Sequence, residues 1–258
     1  MSSAALALRQ IKFENRAFWR NPASAFFTFA FPLMFLVIFN LLFGNEEITL
    51  GPGQTTTAST FFVPAIAAFS VITACYTNIA ISVSLSRDGG VLKRVRGTPL
   101  PAWAYMAGRI GHSTIIAILL VAIVAIAGVL FYGVDIPTNT MPAFLITLAV
   151  GAASFCALGL AITSLIPNGE ASPAIVNASV LPLLFISDIF IRLDDAPAWL
   201  ENVAKIFPIW HYSQAMQAAF NPFETGSGFR FGYLAVVGAW GLFGLLAATR
   251  FFSWEPRR

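Results

Sequence analysis

The sequence predicts an all-α integral membrane protein with six membrane-spanning helices. Of its 258 residues, 57% are hydrophobic and only 10% are charged, whereas a soluble domain carries about 25% charge. Long runs without Asp, Glu, Lys or Arg recur along the chain, and the basic residues collect between alternate runs. A water-soluble fold could not hide this much apolar side chain, which includes 25 phenylalanines.

The six spans are predicted at 26–44, 61–86, 110–134, 141–168, 171–191 and 231–250. A helix needs about 20 apolar residues to cross about 30 Å of hydrocarbon. The runs are too long and too evenly apolar for barrel strands, which alternate polar and apolar residues. The fifth run is the shortest, because its charge-free part ends before Asp188. We expect a single transmembrane domain over 1–258.

The positions of Lys and Arg predict the orientation. If the N-terminus is cytoplasmic, the outer segments hold only Arg192, Lys205 and Arg230. The inner segments then hold the remaining basic residues, which are Arg9, Lys12, Arg16, Arg20, Arg87, Lys93, Arg94, Arg96, Arg109, Arg250, Arg257 and Arg258. We therefore expect a multi-pass protein of the cell inner membrane with both termini cytoplasmic. No secretory signal pattern precedes the first span, so the N-terminus is expected to be retained.

Residues 4–21 predict an amphipathic helix lying on the membrane surface. At about 100° per residue, Ala4, Leu8, Ile11, Phe18 and Trp19 share one face. Four basic residues occupy another arc, with Phe13 among them. Basic amphipathic helices bind the headgroup region of anionic leaflets, and Pro22 is expected to end this helix before the first span. The alternative is a merely solvated helix.

The inner polar segment 87–109 predicts a short helix between two spans. Gly89 and Gly90 break the preceding helix, the next residues can form one short helical turn, and Pro99 and Pro101 end it. Such a rigid knob could transmit force from a soluble partner. The alternative is that Lys93, Arg94 and Arg96 only hold the topology and bind lipid headgroups.

The external segment 192–230 predicts two short helices. Pro197 suits a first helical turn after Asp194 and Asp195, and Pro208 can begin a second helix that runs to about Phe220. Asp188 is the one acidic residue beside the core of a span. Such a residue is often functional, but it can equally be a solvated turn residue.

The inner loop SRDGGVLKRVRGTPLPAWAYMAGRI and the run from Pro182 through Asp195, Pro197, Trp199 and Leu200 to Pro208 resemble the permease subunits of ABC exporters of the second type, the ABC-2 family. The nearest members are bacterial daunorubicin-type drug exporters. The chain departs from the family where an acidic residue and a Gly-Thr step often precede the basic cluster. It has Gly89, Gly90 and Val91 there.

The resemblance implies a cytoplasmic coupling helix and external re-entrant helices before the last span. It assigns coupling to an ATPase to Leu92, Lys93, Arg94, Val95, Arg96, Thr98 and Pro99. It assigns an external gate to Pro182, Leu183, Ile186, Asp188, Trp199 and Pro208. The implied partners are two copies of a soluble ABC ATPase, a second permease copy (the same chain or a related one) and membrane lipid. The implied function is export of an amphipathic, drug-like or lipid-like substrate.

Missing motifs argue against an enzyme. None of the three lysines lies in a Gly-Lys-Ser/Thr phosphate loop, and the chain has no HExxH or GxSxG motif. We therefore expect no cofactor, metal or catalytic residue here, with ATP and Mg²⁺ on the partner subunit. His112 and His211 are lone histidines, Cys75 and Cys156 are expected to be buried thiols, and the scattered basic residues argue against nucleic acid.

Three other functions stay open from the sequence. They are an exporter of a polysaccharide or lipid-linked glycan, an intramembrane lipid-modifying enzyme, and a non-enzymatic assembly factor or channel.

Overall fold

The computed structural model describes residues 3–51, 53–193 and 196–255 and is mostly helical. The helices are α1 (Ser3–Trp19), α2 (Pro22–Phe43), α3 (Ser59–Ile72), α4 (Asn78–Asp88), α5 (Val91–Arg96), α6 (Ala102–Tyr132), α7 (Met141–Ile162), α8 (Ser172–Phe185), α9 (Ala198–Ala204), α10 (Pro208–Phe220) and α11 (Phe231–Phe251). A π-helical turn, Thr73–Thr77, joins α3 to α4, and two strands, β1 (Glu47–Gly51) and β2 (Gln54–Thr57), follow α2.

Five helices within the described residues are long and apolar enough to cross a membrane: Pro22–Phe43, Ser59–Asp88, Ala102–Tyr132, Met141–Ile162 and Phe231–Phe251. They correspond to five of the six predicted spans. Helix α8 has 14 residues and so a length of about 21 Å, shorter than the hydrocarbon core. The predicted fifth span is therefore helical only up to Phe185.

The continuous helix Ser59–Asp88 is the centre of the molecule. Every residue from Phe61 to Ile72 is buried, and α2, α6, α7 and α10 pack around it. Small residues such as Ala65, Ala67 and Ala68 let these helices approach closely, as in other membrane helix bundles. The remaining spans expose one side each, which suits contact with lipid.

Outside the fifth span, two predicted span boundaries differ from the structure by six residues or more. Helix α6 begins at Ala102 rather than at 110, because Arg109 does not end it: its guanidinium donates to Tyr105 Oη (2.8 Å) and Ser86 Oγ (2.7 Å). Helix α7 ends at Ile162 rather than at 168. There, Thr163 and Ser164 turn their hydroxyls back onto the last carbonyls of the helix, at 2.6 and 2.7 Å.

The loop between α2 and α3 departs from the otherwise helical structure and forms a β-hairpin. Strands β1 and β2 are antiparallel, with Ile48 opposite Thr56. The β-branched threonines of β2 favour extended backbone, and Gly53, at a φ of +73°, lies in the turn. Ile48 packs against Phe61 and Phe62, so the hairpin covers the N-terminal end of α3.

Helix α1 is confirmed, but its faces divide differently from the prediction. Ile11 and Phe18 pack on the protein: Ile11 lies against Gly111 of α6, and the Phe18 ring is 5.3 Å from His112. Leu8, Phe13 and Trp19 are exposed and flank the basic arc on both sides. The side chain of Ala4 lies outside the described residues.

Candidate coupling and gating sites

Arg87 is the largest fully buried side chain of the described residues and ties two segments that are distant in sequence together. Its guanidinium donates to the carbonyls of Thr163 (2.9 Å) and Ile166 (2.7 Å), just after α7. It also pairs with Asp88 at 3.3 Å, and the Asp88 carboxylate accepts a hydrogen bond from the backbone of Gly169. This Arg87–Asp88 clasp holds the end of α4 against the loop between α7 and α8.

Helix α5 follows the clasp directly, as the Gly-Gly pair predicts. Gly90 has a φ of +69°, a conformation that favours glycine, and turns the chain into the helix. At the other end, Thr98 Oγ1 donates to the Val95 carbonyl (2.7 Å) and accepts from Leu100 N (3.3 Å). The helix is therefore rigidly joined to the spans on both sides.

The residues assigned to coupling point in two directions. Lys93, Arg94, Arg96, Thr98 and Pro99 are exposed, and Val95 is half-buried. Leu92 has no exposed surface and belongs to the main hydrophobic cluster. Because its side chain is enclosed by the protein itself, Leu92 packs α5 against the spans and presents no surface of its own to a partner.

Arg109 links α1 to the same region. Its guanidinium lies 3.6 Å from the carboxylate of Glu14 on α1, and its hydrogen bonds to Tyr105 and Ser86 connect α6 to α4. Both charged side chains are nearly buried. Arg109 therefore connects α1, α4 and α6 through contacts of a single side chain.

Asp188 ends the turn after α8 in an unusual conformation. It has a φ of +51°, which few residues other than glycine, Asn and Asp adopt. Its carboxylate accepts from Leu193 N (2.7 Å) and from Gln214 Nε2 (2.6 Å). Its carbonyl accepts from Ser213 and Gln217 of α10, both at 2.9 Å. This network shows that Asp188 holds the turn against α10.

The other residues assigned to the gate lie on or next to three helices, and Leu183 and Pro208 line one cavity. Pro182 and Leu183 lie inside α8, exposed and half-buried respectively, and Ile186 follows the end of that helix. Trp199 is exposed on α9, and Pro208 is buried as the first residue of α10. The bounds predicted for α10 are confirmed. The expectations for Asp194, Asp195, Arg257 and Arg258 lie outside the described residues.

The two ends of α10 lie at different heights along the neighbouring helices α7 and α11. At its start, Trp240 Nε1 donates to the carbonyl of Ile206 (3.0 Å), and Trp240 is nine residues into α11, or about 14 Å along that helix. At its end, Thr140, which precedes α7, donates to the carbonyl of Ala219. The start of α10 therefore lies near the middle of α11, and its end lies beside the start of α7.

The sequence analysis gave Arg87 only a topological role. It also passed over Tyr76 of the π-helical turn and Ser179 of α8, which form a hydrogen bond of 2.7 Å. The signal for Arg87 was available, since an arginine next to an aspartate at the end of a span can pair with it. Cys75 and Cys156 are buried and free, as expected. Across 3–51, 53–193 and 196–255, no group of three or more His, Cys, Asp or Glu side chains is placed to hold a metal ion.

Comparison with known proteins covers most of the chain. Residues 5–221 match the family model described as ABC-2 type transporter. The "Probable multidrug ABC transporter permease YbhR" of Escherichia coli K12 is 25% identical over 153 residues, 59% of this chain and 41% of that protein. The "Daunorubicin resistance ABC transporter permease protein DrrB1" of Streptomyces coeruleorubidus is 25% identical over 195 residues, 71% of this chain and 64% of that protein.

The chain thus spans less than two thirds of the length of either relative. The family match extends from α1 through α10, and so includes the Arg87–Asp88 clasp, helix α5 and the Asp188 turn. The chain belongs to the ABC-2 type transporter family.

Proposed function

We propose that this chain is the membrane subunit of an ATP-driven exporter that moves amphipathic, drug-like or lipid-like compounds out across the cytoplasmic membrane. A separate ABC ATPase, in two copies, binds ATP and Mg²⁺, and a second permease copy completes the path. The observation that carries this proposal is α5, a short helix with an exposed basic face on a buried support. A partner that pushes on α5 moves α4, and through the Arg87–Asp88 clasp it moves the loop between α7 and α8.

The number of crossings also supports an exporter fold with six spans. Helices α7 and α11 run in the same direction, because Gly241 meets Ser154 and Gly244 meets Leu158. The chain between them must return once across the membrane. Helix α8 is too short to do this alone, and the turn at Asp188 supplies the rest.

The position of α10 supports a re-entrant segment. Its first turn lies at the level of the middle of α11, where backbone that leaves a helix is tolerated only against protein or a water-filled cavity. Glu201 and Lys205, which precede α10, form an exposed ion pair of 2.7 Å. Charges at this level suit a path between two copies better than contact with lipid.

The proposal is tested by reversing the charge on the exposed face of α5. Lys93→Glu combined with Arg96→Glu should lower co-purification of the ATPase at least about tenfold, because two attractive contacts become repulsive. The matched control is Lys12→Glu with Arg16→Glu on α1, which makes the same charge change on another basic surface. Both variants should insert normally. Undiminished co-purification and transport in the α5 variant would overturn the docking role.

A further inference from the structure

A cavity of about 370 Å³ lies between the π-helical turn, α7, α8, the start of α10 and α11. Its walls are mainly apolar and strongly aromatic, with Phe155, Phe207, Trp240 and Phe243 among them. The volume falls within the range of sites that bind small molecules, about 300–1,000 Å³. The cavity is therefore large enough for an aromatic or branched apolar body.

Two of its polar lining side chains fix the chemistry of a ligand. Tyr76 Oη and Ser179 Oγ are 2.7 Å apart. Ser179 already donates its only hydroxyl proton to the carbonyl of Val176, at 2.7 Å. Tyr76 must therefore donate to Ser179, which leaves the Tyr76 oxygen with accepting capacity alone. A ligand that forms a hydrogen bond with this oxygen must therefore be the donor.

Tyr76 also occupies a special backbone position. It lies in the π-helical turn Thr73–Thr77, and such turns inside α-helices are found frequently at functional sites. Gly159 of α7 packs directly on the carbonyls of Cys75 and Tyr76, where a Cβ would come within 3.0 Å of both. The distortion is thus built into the packing of two helices at the wall of the cavity.

We propose that this cavity binds the apolar body of an amphiphilic small molecule whose hydroxyl or N–H group donates a hydrogen bond to Tyr76 Oη. The inference rests on the proposed function only in regarding the bound molecule as cargo. Phospholipid acyl chains carry no donor, so they would occupy the cavity without this discrimination.

The test uses two photoreactive probes on the purified permease in lipid nanodiscs, without any ATPase. The probes are 4-(hydroxymethyl)benzophenone and its methyl ether, in which one methyl group replaces the donor hydrogen. Adducts should map to peptides that contain Leu158 or Leu183. Labelling by the hydroxyl probe should exceed that by the ether about fivefold, as expected for one neutral hydrogen bond. Tyr76→Phe, which keeps the ring, should make the two probes equal.

Ser179→Ala gives a sharper result. Without its acceptor, the Tyr76 proton is free to donate, so the ether probe should label several times more strongly than in the wild type. Leu183→Trp should abolish labelling by both probes, because the larger ring fills the cavity.

Equal labelling by both probes in the wild type, adducts confined to other faces, or no effect of Ser179→Ala would each overturn the proposal. If the wild-type permease discriminates between the two probes as expected but cells that carry it with its ATPase show no transport, the result counts against the export function alone.

Discussion

The buried guanidinium of Arg87 shows how one residue can set the position of the helix end from which α5 follows. Its planar fork matches two carbonyls that follow α7, while Asp88 balances its charge. A lysine ammonium cannot reproduce this fork. Removing Arg87 leaves two buried carbonyls without their donor, at about 1–3 kcal/mol each, and leaves Asp88, whose side chain is 28% exposed, without its partner.

We therefore expect Arg87→Gln to destabilise the protein by at least about 2 kcal/mol and Arg87→Lys by less. The matched control is Arg94→Lys, because Arg94 is exposed and makes one long hydrogen bond to Gly89, at 3.4 Å. Its stability should change by less than about 0.5 kcal/mol. Thermal unfolding in detergent measures all three, and equal melting temperatures would refute the clasp.

Substitutions at Asp188 separate the contribution of its backbone conformation to stability from that of its side-chain hydrogen bonds. Asp188→Asn should be the mildest change, because Asn keeps an acceptor for Leu193 N and tolerates a positive φ. Asp188→Gly and Asp188→Ala both lose the carboxylate bonds. Ala should be worse than Gly by about 1–2 kcal/mol, which is the usual penalty for this backbone conformation.

The measurement is the order of melting temperatures, expected as wild type, Asn, Gly and Ala from highest to lowest. If Gly proves as unstable as Ala, the backbone conformation contributes nothing. A transport defect in the Asn variant without loss of stability would favour a direct functional role for Asp188.

At the scale of elements, proline and glycine were the most reliable signals. Pro22 and Pro208 each begin a helix, and Gly89 and Gly90 separate α4 from α5. These residues act through their own backbone geometry, so their effect can be predicted locally. The hairpin was missed because its strands are short and β2 consists of polar residues, and because Ile48 needs Phe61 and Phe62 as a packing surface.

The start of α10 lies beside the middle of α11, and this position leads to a prediction for thiol labelling. Ile206 and Leu242 are similarly exposed, at 61% and 58%, but Ile206 precedes α10, the helix proposed to be re-entrant, whereas Leu242 lies on α11. A cysteine at Ile206 should react with a charged, membrane-impermeant reagent added outside, because water fills the path. A cysteine at Leu242 should not react, since lipid covers it. Equal reactivity at the two positions would place Ile206 against lipid.

At the scale of the whole molecule, the topology is directly testable. Thr55 in the hairpin, Thr225 before α11 and Thr98 after α5 are all exposed. Cysteines at Thr55 and Thr225 should react with an impermeant maleimide in intact cells, and one at Thr98 should react only after permeabilisation. Cys75 and Cys156 are buried and provide a low background. Outside labelling at Thr98 would invert the orientation.

The amino-acid sequence by itself determined that the protein lies in a membrane, where five spans run, and which short helices flank the polar segments. Hydrophobicity, charge asymmetry and proline or glycine act within about one helix length, so these features need no knowledge of distant neighbours.

Only the tertiary structure decided which residues meet. Arg87 reaches Thr163 and Tyr76 reaches Ser179 across 76 and 103 residues of chain, and the burial of Leu92 depends on the surrounding helices. The clasp, the Asp188 turn and the cavity all come from such distant contacts, which helix packing creates and a local pattern of residues does not contain.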